Sequence, residues 1–449
     1  MYATYLLQLK EYRHDRLREH LLRKHKHAYL ALFYTGIGAP ISFKMLPRLT
    51  NKAVVLIFLS LLIGGALIYS FGAPGVLFLL LFSLGIVLLA LSITTPVEAL
   101  LRQSTYRRAR TRVEELKRNG LKVVGITGSY GKTSTKDILA HILSSSFSVL
   151  ATKNSINTPL GVARTILNEL RPEHAFFVVE MGAYKIGEIA ELCDIALPDI
   201  GIITGISNQH LSLFGSQENI IKGKSELFDS LKPNSAAYFN SHSLHMHQTK
   251  NTNLSIVEYS EKSLSPHMQK ALKEAALPNE LRLNVIPAIL IAKDMGISEE
   301  DIASSILSLA PSEKTMKSVV GRGGALIIDD SHNASEMGVL SAISFLSTLS
   351  QKTKIVVMPC IIELGEDAEG VHKNIGTTVK ASNIKAIITT PDFFNSVLET
   401  AGDTHARLLS DPIEVCAYLK ERLSDNCAIV LEGKTHPKII EFLLPTHHE

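Results

Sequence analysis

Tryptophan is missing from the chain, and aromatic residues make up only 6% of it. Little is therefore available for the ring stacking that holds single-stranded nucleic acid. Charge of one sign is also missing: 46 Lys and Arg against 43 Asp and Glu leave a net +3, too near balance for a phosphate-backbone partner. The four cysteines, Cys193, Cys360, Cys416 and Cys427, are scattered with no C-x-x-C pair. That argues against a thiolate zinc site and suits a reducing compartment. The most local absence is of charge itself, since no charged residue occurs from Ala53 to Val97.

That uncharged stretch reads as a transmembrane helical hairpin over 53–97. Residues 53–71 and 75–93 are each long enough to cross about 30 Å of hydrocarbon, and Gly72-Ala73-Pro74-Gly75 breaks the run between them. Fourteen Val, Leu, Ile or Phe residues between Val76 and Ile93 favour insertion by about 4 to 8 kcal/mol. Both flanks are basic, so the expectation is an inner (cytoplasmic) membrane protein with both termini and the catalytic domains cytoplasmic. Membrane lipid is then a partner. Residues 1–52 form a basic segment, either an amphipathic helix on an anionic surface or a solvated basic helix. Residues 98–120 read as a charged linker helix stopping at Gly120.

The chemistry begins at VVGITGSYGKTST, Val123 to Thr135. A β-branched run that reads as a strand gives way to glycines spaced G-x-x-G-x-x-G from Gly125, then to the helical pattern KDILAHIL. Strand, glycine turn and helix N-terminus together form an anion cradle of unpaired N–H groups and helix dipole. Gly128, Ser129, Gly131, Lys132, Thr133 and Ser134 would line it. Lys132 would reach the outer phosphates of ATP, and the Thr133 hydroxyl the accompanying magnesium. The strict spacing G-x-x-x-x-G-K-[ST] is not met, because Ile126 stands in place of its first glycine.

From Leu121 onward strands alternate with helical patterns, which predicts α/β architecture: a P-loop parallel-sheet domain over 121–315 and a Rossmann-like α/β domain over 316–449. Predicted strands are 122–127, 175–180, 200–204 and 236–239, then 325–329, 354–358, 385–389 and 427–431. Glu180 closes the apolar run FFVVE, at the sheet edge where ligands bind, and there can hold magnesium. His210 follows the next strand, and could ligate a second cation. Lys224, in IIKGKSELF, sits in a helical pattern and by composition alone would be a solvated lysine.

Seven blocks in series carry a resemblance: GITGSYGKTSTKD, KNSINTPLGVARTIL, VVEMGAYKIGEIA, ITGISNQHLSLFGS, KGKSELF, LIIDDSHNAS and ELGEDAEGVH. Together they resemble the Mur ligase superfamily, and within it the branch that adds D-alanyl-D-alanine to UDP-N-acetylmuramoyl-tripeptide. The resemblance implies an ATP-dependent ligase forming carbon–nitrogen bonds through an acyl phosphate. It implies phosphate binding by Lys132 and two magnesium ions, one held at Thr133 and Glu180 and the second at His210. Lys224 matches a lysine often carbamylated in the family, whose new carboxylate helps place that second ion, so Lys132, His210 and Lys224 are the expected catalytic residues. Asn284 matches a nucleotide-contacting asparagine, Arg322 a hinge arginine, and Asp330 and His332 a C-terminal block that closes over ATP.

The sequence also departs from that pattern. The UDP-sugar-binding N-terminal domain is replaced by the apolar segment, and the nucleotide block has Leu283 and Pro287 where the family has His and a second Asn. The acid partner is accordingly a small-molecule or lipid-linked wall precursor with a free carboxylate, and the amine an amino acid or dipeptide. Three alternatives stay open at this point: an amide polymer such as poly-γ-glutamate, a plain NTPase and a non-catalytic scaffold.

Overall fold

The computed structural model describes residues 51–72, 74, 83–206, 211–241, 249, 251, 253–275, 277, 279–309, 317–331, 334, 336–362, 364 and 367–444. Two compact units divide the chain between Thr105 and Tyr106. In the first, helix α1 spans Asn51–Phe71, and helix α2, Ser83–Arg118, begins.

The hairpin expected at 53–97 needs correction. Its second span is not an element of its own, because α2 runs 36 residues through Pro96 and on into the charged turns up to Arg118. Residues 75–82 lie outside the described residues. Among the described residues no helix is long and apolar enough to cross a membrane. This overturns the transmembrane hairpin and the inner-membrane placement drawn from it. Nor is 98–120 a bare linker. Ala109, Val113 and Leu116, four and three residues apart, are buried in the core of the second unit, as helical periodicity requires of one face.

The second unit holds two six-stranded sheets. The first is built from β1 (Lys122–Thr127), β2 (Val149–Ala151), β3 (Phe176–Glu180), β4 (Ile200–Ile203), β5 (Ala236–Asn240) and β6 (Ser255–Tyr259). Their order is β2-β3-β1-β4-β5-β6, and every pairing is parallel. The connecting helices used below are α3 (Lys132–Leu143), α4 (Pro159–Glu169), α5 (Glu188–Ala196), α6 (Gln217–Asp229) and α7 (Asn279–Asp294).

Both faces of this sheet are covered, which is why its inner strands read as unbroken apolar runs. Val123, Phe177 and Val179 face one core, and Val124, Ile126, Phe176 and Val178 the other, following the two-residue period of a strand. The chain leaves β1 toward β2 and β3, then crosses β1 to reach β4. The ends of β1, β3 and β4 therefore flank the point where strand order reverses, and a crevice for ligand forms at their C-terminal edge.

The second sheet comprises β7 (Lys317–Val320), β8 (Leu326–Asp330), β9 (Thr353–Met358), β10 (Lys385–Ile388), β11 (Ala406–Leu408) and β12 (Cys427–Glu432). Its order is β11-β10-β9-β12-β8-β7, parallel except for β7, which runs antiparallel to β8. Four strands had no sequence expectation, β2, β6, β7 and β11, and each is the edge of its sheet.

Candidate active site

The glycine loop is shaped by contacts that leave no room for a side chain. Gly128 has φ 150° and Gly131 φ 77°, the latter as N-cap of α3. A methyl group on Gly128 would fall 2.1 Å from the Thr204 hydroxyl, and one on Gly131 2.4 Å from Asn284 Oδ1. The loop is clamped to the segment after β4: Ser129 N–H donates to Gly205 O at 2.6 Å, and Thr204 Oγ1 donates to Tyr130 O at 2.5 Å. Its backbone is thus held by the protein's own contacts.

Lys132 folds back over this loop, its Nζ donating to Gly128 O at 2.8 Å and Ser129 O at 3.0 Å. Burial lowers its pKa, with the charge of Glu180 acting in the other direction. Thr133, one residue on, donates from Oγ1 to Glu180 Oε2 at 2.8 Å. Glu180 is 1% exposed. Its Oε1 accepts from Asn157 Nδ2 at 2.9 Å, and its Oε2 lies 3.9 Å from the ammonium of Lys136. A carboxylate can be buried this deeply only with such partners.

Lys224 approaches from α6 and is 3% exposed. Its Nζ is 3.5 Å from Ala183 O and 5.8 Å from the centre of the Phe214 ring. Burial, reinforced by the charge of Lys132, lowers its pKa to about 7, against the pull of Glu188 and Glu226. The loop that delivers Ala183 is itself pinned. Glu226 accepts from Gly187 N–H and Ala190 N–H at the start of α5, and Glu188 accepts from Tyr184 N–H.

The fold therefore brings Gly128, Ser129, Gly131, Lys132, Thr133, Glu180, Lys224 and Asn284 to one edge, with Ser134 in the first turn of α3. His210 and His332 lie outside the described residues. Asp330 ends β8 beside Glu432 of β12, its pKa raised by burial and by the neighbouring Asp329. Arg322 is not brought to Asp330. It stands in the turn before β8, at the other end of that strand, with its guanidinium 4.8 Å from the Phe442 ring centre.

Two residues at the centre had not been expected there, Asn157 and Lys136. The available signal for the lysine was spacing, since Thr133 and Lys136 are three apart and so share a helix face. Among the described residues no group of three or more His, Cys, Asp or Glu side chains is placed to hold a metal ion. A cavity of about 900 Å³ opens at the opposite edge of the sheet, lined in part by Lys117 and Asp199. There Lys117 is committed to Asp199 and to Leu197 O, each at 2.6 Å, which makes that cavity a packing seam remote from the loop.

Comparison with known proteins agrees with this geometry. The family described as Mur ligase middle domain matches residues 126–288. The UDP-N-acetylmuramoyl-tripeptide–D-alanyl-D-alanine ligase of Buchnera aphidicola is 31% identical over 305 residues, which are 63% of this chain and 67% of that protein. The chain belongs to the Mur ligase family. The ligase of the same name from Synechocystis is 28% identical over 325 residues, 69% of this chain and 71% of its own. Among solved structures, MurF ligase from Thermotoga maritima in complex with ADP shares the fold, with a TM-score of 0.64 and 22% identity. That alignment covers 76% of this chain and 83% of the other.

Proposed function

We propose that this Mur ligase joins a carboxylic acid to an amine at the expense of ATP, with the UDP-N-acetylmuramoyl-tripeptide and D-alanyl-D-alanine of its relatives' names as acid and amine. The observation that carries the reading is the meeting of Thr133 and Glu180, at 2.8 Å, beside a rigid glycine loop whose lysine is in place.

The N–H groups of the loop and the N-terminus of α3 bind the β- and γ-phosphates. Lys132 exchanges its contacts with Gly128 O and Ser129 O for phosphate oxygens and follows the transferred group. An oxygen of the acid attacks the γ-phosphorus, the bond to the β–γ bridging oxygen breaks, and ADP leaves. The amine nitrogen then attacks the acyl carbon and loses a proton as phosphate departs. The work required of the protein is positioning and the offset of negative charge.

Thr133 Oγ1 and Glu180 Oε2 are hard oxygen donors, the type magnesium prefers, and these two residues would hold it. Bound there, magnesium would neutralise charge on the triphosphate. Asn157 and Lys136 hold the Glu180 carboxylate ready for that role. A second ion at His210 is carried by the family resemblance. The low pKa of Lys224, about 7, supplies the neutral amine that addition of carbon dioxide requires, which supports carbamylation at this position. Asn284, which lies against Gly131, would contact the nucleotide. Asp330 and His332 would be contributed by the second sheet.

The test is ADP release by purified protein with ATP, magnesium, the tripeptide precursor and D-alanyl-D-alanine. Turnover should require both the acid and the amine and should vanish in Lys132→Ala. ADP release indifferent to either substrate would make this a plain NTPase, and none under any condition a non-catalytic member of the family.

A further inference from the structure

Lys136 touches neither of the bonds made and broken above, yet it is one of the largest side chains in the protein to be fully buried, at 0% exposure. It stands in the second turn of α3, and its ammonium has three neighbours. Asn154 O lies at 2.5 Å, Asp137 Oδ1 at 3.2 Å and Glu180 Oε2 at 3.9 Å. A buried ammonium is tolerated only with such a set of partners. Methionine fills similar volume without the charge, so packing alone does not call for lysine here.

The partners belong to two different parts of the site. Glu180 ends β3. Asn154, second in the loop 153–158, holds φ at 54°, a left-handed conformation that costs a non-glycine residue energy and persists only when its surroundings enforce it. The same loop returns to Glu180 through Asn157, which donates to Oε1 at 2.9 Å. Asn157 O in turn accepts from Gly182 N–H at 3.0 Å, and a methyl group on Gly182 would fall 2.7 Å from Asn157 Cγ. The loop is thus fastened to the carboxylate at one end by an amide and at the other by a lysine.

We propose that Lys136 is a positioning residue that ties loop 153–158 to the Glu180 carboxylate, so that the loop and the metal–nucleotide site become ordered together. This rests on the reading of Thr133 and Glu180 as the magnesium position. Because Thr133 and Lys136 project from one helix face, the glycine loop, the carboxylate and loop 153–158 share a single rigid support. Occupancy at Glu180 then steadies the loop, and a loosened loop weakens occupancy.

Binding of Mn²⁺ in the presence of ADP, followed by the electron paramagnetic resonance of free Mn²⁺, tests this without turnover. In Lys136→Met the dissociation constant of Mn²⁺ should rise about tenfold or more, with ADP affinity in the absence of metal unchanged. Equal Mn²⁺ binding by folded wild type and Lys136→Met would overturn the inference and leave the functional reading intact. A wild-type protein that takes up no Mn²⁺ with ADP would overturn both. Hydrogen exchange on the wild type serves even if the variant does not fold. Amides of residues 153–158 should exchange several-fold more slowly with Mn²⁺ and ADP than with ADP alone, and unchanged exchange would overturn the coupling.

Discussion

The Thr133 hydroxyl donates to a carboxylate oxygen of Glu180 across 2.8 Å, joining the helix after β1 to the end of β3. Thr133→Val removes that donor and one oxygen of the proposed magnesium shell while keeping the side-chain shape. Stability should fall by about 1.5 to 3 kcal/mol, the cost of one hydrogen bond to a charged group. Turnover should fall about a hundredfold or more, and the magnesium concentration for half-maximal rate should rise. Initial rates across a magnesium series, beside urea unfolding curves, separate the two effects. A rate loss no greater than the stability loss explains would argue against an ion at this position.

Glu180 makes a second prediction through Lys136, 3.9 Å away. Glu180→Gln removes the buried carboxylate beside the Lys136 ammonium and leaves it the more exposed Asp137, 3.2 Å away, so the loss should approach the roughly 3 to 5 kcal/mol of a broken buried pair. Adding Lys136→Met to that variant removes the uncompensated charge, so the double variant should be more stable than Glu180→Gln alone. Urea midpoints of the wild type, both single variants and the double variant close the cycle. Strict additivity would mean that the two groups do not feel one another.

These two residues also mark where sequence reasoning stopped. β1, β3, β4 and β9 were legible because burial on both faces demands continuous β-branched and apolar residues, as in Ile126, Val178 and Val356. The edge strands were not. β2 is three half-buried residues and β11 is Ala-Arg-Leu, and both gain their form from a neighbour rather than from a pattern of their own. Thr133 and Glu180 were legible because their chemistry is local to a loop and a strand end. Lys136 was not, since a lysine among helix residues reads as solvated until loop 153–158 closes over it. The apolar run at 53–97 misled in the opposite way. Its composition suggested two separate spans, whereas the second continues without a break into the helix whose Ala109, Val113 and Leu116 enter the core.

The glycine loop offers a comparison in which strain and crowding are separable. Gly131 and Gly296 have similar backbones, φ 77° and 84°. A methyl group on Gly296 would meet open space, whereas one on Gly131 would fall 2.4 Å from Asn284 Oδ1. Gly296→Ala should therefore cost only the left-handed conformation, about 1 kcal/mol. Gly131→Ala should cost about 1 to 3 kcal/mol more, the usual range for an overpacked site, and should also weaken ATP binding by moving Asn284. Thermal unfolding and nucleotide titration of the two variants check this. Equal losses would mean that Asn284 yields without consequence.

Lys224 trades stability against function, and the sign of its pH dependence follows from its burial. In the unfolded chain the amine keeps its proton up to about pH 10.5, whereas in the folded protein its pKa is lowered to about 7. Below pH 7 both states are protonated, and the cost of burying the charge is present in full. Between pH 7 and 10.5 the unfolded state binds more protons, so rising pH favours the folded protein by up to about 1.4 kcal/mol per unit. Lys224→Met keeps the buried volume and removes the amine. It should be the more stable protein at pH 7, by on the order of 4 kcal/mol, and the advantage should shrink toward zero as pH approaches 10.5. ADP release should be lost at every pH. Denaturant midpoints of both proteins from pH 6 to 10 measure the difference, in which other titrating groups cancel. A variant less stable than wild type at pH 7 would mean that the ammonium is held there by partners stronger than Ala183 O, and that the site does not keep an amine ready for reaction.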